Sequence, residues 1–326
     1  MTEASDSILL IYENTLEFLE ERGDLSRLRK ALKDESIDDR MNRVDTKSRG
    51  LEIVDAVHCV LDKNRTLAFM SAIEESVKPG DIVVEAGAGT GILAIFAAVL
   101  QAKVYGIEIN EETFGLAQDL ADFFIHLRIL DKKNLQLVLS DACFWEPPEK
   151  IDAIISENVY AGMFYEMQIP IVSHLLDFLT PYGRVVPDSM QSYVILSDVE
   201  LPKGLKHGDS FSNSEAEGRI CRFKELSLPV LYDKIDFYHK NFVDCQADIE
   251  IPIKKSGLVN SLIIYSPITV APNLILQRND MIFMGEDIFI VIDPPIQVEK
   301  GSTAHLKIAY ERGGRPEEGF YKLTTL

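Results

Sequence analysis

Cysteine is scarce: 326 residues carry four, Cys59, Cys143, Cys221 and Cys245, and no two form a CxxC pair. That removes the zinc-ribbon and disulfide-scaffold classes and predicts no metal site; reduced, mostly buried thiols of a cytoplasmic protein remain. No run of eighteen apolar residues occurs, so no transmembrane helix and no membrane partner are expected. The first residues, Met1-Thr2-Glu3, include an acid and open no basic stretch, so no signal peptide is expected. Long Lys/Arg runs are missing too. With 33 basic against 52 acidic side chains, the formal net charge is −19. Such a surface repels phosphate backbones, which makes nucleic acid a poor partner, and attracts cationic ones such as basic peptides. Solubility alone, or an acidic and salt-rich cytoplasm, accounts for the same charge. Internal repeats and low-complexity segments are absent.

What is present is an ordinary globular composition, 46% hydrophobic and 26% charged, in a chain long enough for two domains. Residues 6–34 carry apolar side chains at helical spacing, Leu9, Leu10, Tyr12, Leu16, Phe18 and Leu19 among them, broken at Arg22-Gly23-Asp24. Residues 35–50 are polar and read as a connection. Helices follow over 51–60 and 65–77, then a turn at Lys78-Pro79-Gly80-Asp81. From there strands and helices alternate. Strands are expected at 82–85, 103–109, 134–139, 151–156 and from 183, with helices at 91–100, 111–127 and 167–179. This alternation predicts βαβ units and a parallel sheet. Beyond Pro187 the pattern changes to short β-rich runs at 192–196, 246–253, 261–264, 288–292 and 304–310, with one short helical stretch around 228–241. The fold class is therefore α/β, a Rossmann-like parallel-sheet domain followed by an antiparallel barrel-like domain, with N-terminal helices. The boundaries are 1–50 for the helical extension, 51–188 for the parallel-sheet domain and 189–326 for the barrel-like domain.

The strongest chemical signal is Glu85-Ala86-Gly87-Ala88-Gly89-Thr90-Gly91, between a strand and a helix. Without Cβ atoms the backbone turns tightly and lies against a ligand, and the helix start adds unpaired N–H groups. The spacing is GxGxG, neither the GxGxxG of dinucleotide folds nor a P-loop. Glu108 ends the next strand, 19 residues after Gly89, where an acid accepts hydrogen bonds from ribose hydroxyls. Asp141, at the end of the strand after that, can hold an adenine amino group. Three consecutive strand ends thus offer the parts of an adenosine site.

The stretch from about Val60 to Asp188 resembles the protein arginine methyltransferases, a branch of the class I S-adenosylmethionine-dependent methyltransferases. Leu61-Asp62-Lys63-Asn64-Arg65-Thr66 looks like the segment whose arginine grips the cofactor carboxylate. Glu85 to Leu93 resembles the cofactor loop, and Tyr105-Gly106-Ile107-Glu108 the ribose-binding strand end. Ser156-Glu157 through Tyr165-Glu166 resembles the double-glutamate loop, with its two acids nine apart. Leu179 to Asp188 looks like the closing strand. The resemblance implies S-adenosylmethionine as cofactor, held by Arg65, Glu85, Ala86, Gly87, Gly89, Glu108, Ile109 and Asp141. It implies Glu157 and Glu166 as catalytic residues that hold a guanidinium by paired hydrogen bonds, and methyl transfer to a nitrogen of a protein or peptide.

Departures from the family pattern keep other acceptors open. Asn158, Val159, Tyr160, Ala161 and Gly162 stand where the family has a Trp-Met-Gly start. The Thr-His-Trp motif is missing: its place falls near Phe283, Met284 and Gly285, and His305 is out of register. A small-molecule methyltransferase and a cofactor-binding regulatory subunit therefore stand beside the leading reading, with a tRNA enzyme disfavoured by charge. Residues 201–242 match either the family's dimerisation arm, which implies a homodimer, or a simple surface insertion.

Overall fold

The N-terminal serines show how local chemistry fixes the first helix. In the computed structural model, which describes residues 4–34, 50–212, 222–281 and 285–325, Ser5 caps helix α1 (Asp6–Arg22) by accepting the Ile8 N–H. The Ser5 and Ser7 hydroxyls both donate to Glu74 Oε1, at 2.7 and 2.8 Å. Gly23, left-handed at φ +88°, ends the helix, and α2 (Asp24–Asp34) follows. Ile8, Ile11, Leu19 and Leu28 of this pair are buried in the same cluster as the parallel sheet. The connection expected over 35–50 lies outside the described residues except for Gly50.

Helices α3 (Ile53–Leu61) and α4 (Lys63–Ser76) lead into the sheet. Strands β1 (Ile82–Ala86), β2 (Lys103–Glu108), β3 (Leu135–Leu139), β4 (Ile151–Ser156) and β5 (Leu179–Val186) alternate with helices α5 (Ile92–Val99), α6 (Glu111–His126) and α7 (Gln168–Leu175). The five strands are parallel, in the order β3-β2-β1-β4-β5. Such a sheet is buried on both faces and its strands read as near-continuous apolar runs, as Val83, Val84, Ile154 and Ile155 do, all fully buried.

The remaining strands are β6 (Ser189–Val199), β7 (Ser210–Ser212), β8 (Phe223–Glu225), β9 (Val230–Asp236), β10 (Asp244–Pro252), β11 (Gly257–Tyr265), β12 (Ile268–Ala271), β13 (Leu274–Leu276), β14 (Ile288–Val298), β15 (Thr303–Glu311) and β16 (Phe320–Thr325). Their pairings are antiparallel, in an eight-stranded and a three-stranded sheet. The two sheets enclose a second core that includes Leu196, Leu262, Ile290, Leu306 and Tyr310.

The short helix expected over 228–241 is instead strand β9, paired with β6 from Ser189↔Asp236 to Val194↔Val230. The β-formers Val230, Tyr232 and Ile235 find a partner strand far away in sequence, and that tertiary pairing overrides the weak helical spacing. The described parts of 201–242 lie along the eight-stranded sheet: Leu201 and Leu205 pack on its outer cluster with Phe211 and Phe289, and β7, β8 and β9 pair into it. Among the described residues, no helix is long and apolar enough to cross a membrane.

Candidate active site

Strand register places the site. Ala86, the last residue of β1, is level with Ile107 of β2 on one side and Ser156 of β4 on the other. Gly87, Glu108 and Glu157 therefore leave three neighbouring strands side by side. Glu108 is level with Leu139, so Asp141 follows two residues on. Strand order reverses between β1 and β4, the position at which open α/β sheets bind ligands.

A crevice of about 1100 Å³, open solvent at its mouth included, lies there. Every residue expected from the sequence to form the site lines it except Ala86. The Ala86 carbonyl instead accepts the Asn158 side-chain amide at 2.7 Å. The turn after β1 has positive φ at Gly87, Gly89 and Gly91. A Cβ on Gly87 would stand 2.3 Å from Asn158 Oδ1, whereas one on Gly89 meets nothing nearer than Ala56 Cβ at 3.9 Å. The backbone at Gly89 thus leaves open space toward the crevice.

The Glu108 carboxylate accepts the Gly89 N–H through Oε2 and the Asn110 N–H through Oε1, each at 2.8 Å. Burial raises its pKa, and these N–H groups partly offset that. A carboxylate offers about four lone-pair sites, and the N–H groups of Gly89, Ile109 and Asn110 leave one available. Asp141 Oδ1 accepts the Cys143 N–H at 2.8 Å. Burial, then the neighbouring Asp141 carboxylate, push the Cys143 thiol up to about 12. Glu85 is buried, and its Oε2 accepts no hydrogen bond among the described residues. Burial holds its pKa well above the usual carboxylate range.

Arg65 and Glu157, expected on opposite partners, contact each other. The Arg65 guanidinium donates to Glu157 Oε1 through Nε and Nη2, and Nη2 reaches the Val159 carbonyl at 3.4 Å. Burial opposes the arginine charge, and Glu157 more than compensates, so Arg65 stays charged. Burial pushes the Glu157 carboxyl up while Arg65 pulls it back. Glu166 is 6% exposed; burial, then the Glu157 charge, push it up to about 7.

Sequence reasoning missed the network beneath these groups. Gln168 Oε1 accepts the Ser156 hydroxyl at 2.8 Å and the Asn158 N–H at 3.1 Å, and the Asn158 amide also donates to Ser156 Oγ. Asn158 thereby ties the glycine turn to the double-glutamate loop; its only sequence signal was its departure from the family pattern. Phe283 and Met284 lie outside the described residues, and His305 pairs with Asp248 on the barrel.

Comparison with known proteins agrees with this geometry. Residues 63–185 match the family described as Ribosomal protein L11 methyltransferase (PrmA). Protein arginine N-methyltransferase 1 of Dictyostelium discoideum is 35% identical over 140 residues, 41% of this chain and 39% of that protein. An uncharacterized protein of Methanocaldococcus jannaschii is 28% identical over 197 residues, 60% of this chain and 70% of that one. The matches thus span well under half the length of the named arginine methyltransferase. Among solved structures, the Trypanosoma brucei PRMT1 enzyme–prozyme heterotetrameric complex with AdoHcy aligns over 83% of this chain and 98% of its own, at 15% identity and a TM-score of 0.65. Arabidopsis thaliana protein arginine methyltransferase 10 aligns over 82% and 95%, at 16% identity and a TM-score of 0.63. These two establish the fold, a Rossmann-like domain followed by antiparallel sheets.

Over residues 63–185 the chain carries a class I methyltransferase domain similar to those of the arginine methyltransferases. A methyltransferase domain of this kind implies S-adenosylmethionine as its cofactor. The donor set fits that cofactor: a buried Glu85 oxygen without a hydrogen bond among the described residues for a cation, a spare lone pair on Glu108 for a hydroxyl, and an open backbone at Gly89.

Proposed function

We propose that this methyltransferase moves a methyl group onto a nitrogen of a cationic acceptor, foremost an arginine of a protein or peptide. The observation that carries this reading is the pair of carboxylates, half-buried Glu157 and buried Glu166, opening on the same crevice as Glu108 and the glycine turn. When bound, the cofactor would supply an electrophilic sulfonium methyl with a neutral thioether as leaving group. On the protein side, Glu108 receives the ribose hydroxyls, Gly87, Gly89 and Ile109 offer backbone against the nucleoside, and Asp141 faces the adenine. Arg65 and Glu85 meet the carboxylate and ammonium of the cofactor's amino-acid end. Glu157, paired with Arg65, and Glu166 clamp the guanidinium and aim one nitrogen at the methyl carbon. As the N–C bond forms, the nitrogen sheds a proton, and Glu166, with its pKa near neutrality, takes it at a carboxylate oxygen.

Incubation with methyl-labelled cofactor and arginine-rich peptides tests this. Labelled peptide is the expected outcome, and Glu166→Gln lowers the rate by about 100-fold or more while cofactor affinity holds. Label confined to small molecules would remove the arginine reading.

A second reading, a small-molecule acceptor, is favoured by one observation: among the described residues, the crevice lining runs from Gly50 to Ile171 and takes nothing from the barrel. Protein-free cell extract yielding no labelled product would dismiss it. A cofactor-binding regulatory role would appear as binding without turnover. We also place the protein in the cytoplasm, in keeping with free thiols at Cys59, Cys143 and Cys245. A homodimer is our reading of the quaternary state: near the end of β9, Phe242 is 85% exposed, with Tyr238 and Val243 also exposed. A monomer mass in sedimentation at micromolar concentration would refute the dimer.

A further inference from the structure

The loop between Glu157 and Glu166 belongs to two cores at once. Val159 and Met163 are buried in the cluster of the parallel sheet. Tyr160, Ala161, Phe164 and Tyr165 are buried in the cluster of the barrel. Between the glutamates the backbone is left-handed at Gly162 (φ +68°), Met163 (+58°) and Tyr165 (+61°). L side chains disfavour that region, so two such residues so close together persist only where their surroundings enforce them.

One turn of the barrel supplies that enforcement. The Tyr310 hydroxyl donates to the Gly162 carbonyl at 2.7 Å. The Gly313 N–H donates to the Met163 carbonyl at 2.7 Å, and the Tyr165 N–H donates to the Gly314 carbonyl at 3.0 Å. Gly313 lies so close that a Cβ would stand 3.2 Å from the Glu166 carbonyl oxygen and 3.4 Å from Met167 Sδ. The turn is itself anchored. The Arg312 guanidinium takes both oxygens of Asp233, at 3.0 and 2.7 Å, the Arg312 backbone N–H donates to the Val243 carbonyl at 2.7 Å, and Tyr310 shares a hydrogen bond with Tyr232 at 3.0 Å.

We infer that the barrel turn Tyr310–Gly314 is a positioning element for Glu166: it imposes the loop conformation that aims this carboxylate into the crevice. The inference rests on the role proposed above for Glu166. It makes the barrel a contributor to acceptor handling although no barrel residue described here lines the crevice.

Tyr310→Phe removes one hydroxyl and keeps the ring that packs on Phe164 at 4.6 Å. Gly313→Ala adds a methyl against Glu166 at a residue with φ +83°. Both are made in the full chain, beside Glu166→Gln. Carboxyl titration by NMR on glutamate-labelled, cofactor-free protein locates Glu166, whose signal is the one missing in Glu166→Gln. S-adenosylhomocysteine affinity and the kcat and KM for an arginine-rich peptide complete the set. In Tyr310→Phe the Glu166 titration is expected to move to lower pH as the loop gains water. Its kcat is expected to fall about tenfold or more, in line with the sensitivity of catalysis to small displacements, with nucleoside affinity within about twofold of the parent. Gly313→Ala should move both in the same direction. An unchanged titration and kcat in Tyr310→Phe would overturn the inference even if Gly313→Ala fails to fold, and so would a loss of nucleoside affinity parallel to the loss of rate. Full turnover in Glu166→Gln removes the carboxylate's role and this inference with it. Lost turnover there, beside normal titration and turnover in both turn variants, removes the inference alone.

Discussion

Arg65 and Glu157 have side chains 2% and 16% exposed, so deleting one charge strands the other in a poorly solvated place. Glu157→Ala is expected to cost about 3 kcal/mol of stability in urea unfolding, and the double change Arg65→Met with Glu157→Leu recovers most of it. A different sign governs Glu166. Its folded pKa of about 7 lies above the unfolded value near 4.5, so the folded state binds the extra proton between those values. Stability therefore falls as pH rises from about 4.5 to 7, by up to about 3 kcal/mol, and Glu166→Gln flattens that slope in thermal melts taken across this window. In its proposed role the same carboxyl must be ionised to accept a proton, so kcat/KM is expected to rise with pH through about 7. At the nucleoside end, Glu108→Ala weakens S-adenosylhomocysteine binding by about 1–3 kcal/mol in calorimetry; unchanged affinity would dissociate Glu108 from the ribose.

At the level of elements, the glycine turn tolerates least. Gly87 combines φ +76° with a Cβ position only 2.3 Å from Asn158 Oδ1, so Gly87→Ala strains the turn and breaks the bridge to the double-glutamate loop. Equilibrium dialysis should find cofactor binding lost in that variant. The helices and parallel strands were legible because each is encoded locally, by apolar spacing between Lys78-Pro79-Gly80 and Pro187. The crevice was legible for the same reason: a strand end carries its acid and its glycines with it. What could not be read are the pairings that fold-level contacts create. Arg65 meets Glu157 92 residues away, and Asn158 meets Ala86 72 residues away. Tyr310 meets Gly162 148 residues away. No periodicity encodes such pairs. Strand β9 was missed likewise, because its partner β6 lies tens of residues earlier.

Over the whole molecule, 52 acids against 33 bases set the encounter with a ligand. A basic peptide is drawn in by that field, and the field is screened beyond about 8–10 Å at physiological salt. KM for such a peptide is therefore expected to rise with sodium chloride, while kcat stays level; a KM indifferent to salt would mean the charge serves solubility alone. The double-glutamate loop, half embedded in each core, has one more consequence. A chain emerging from the ribosome presents its amino-terminal side first and folds it first. The parallel strands are thus made before β10 to β16, yet the double-glutamate loop waits for the turn Tyr310–Gly314 that holds it. The proposed transfer chemistry is thus expected to be the last competence the growing chain acquires.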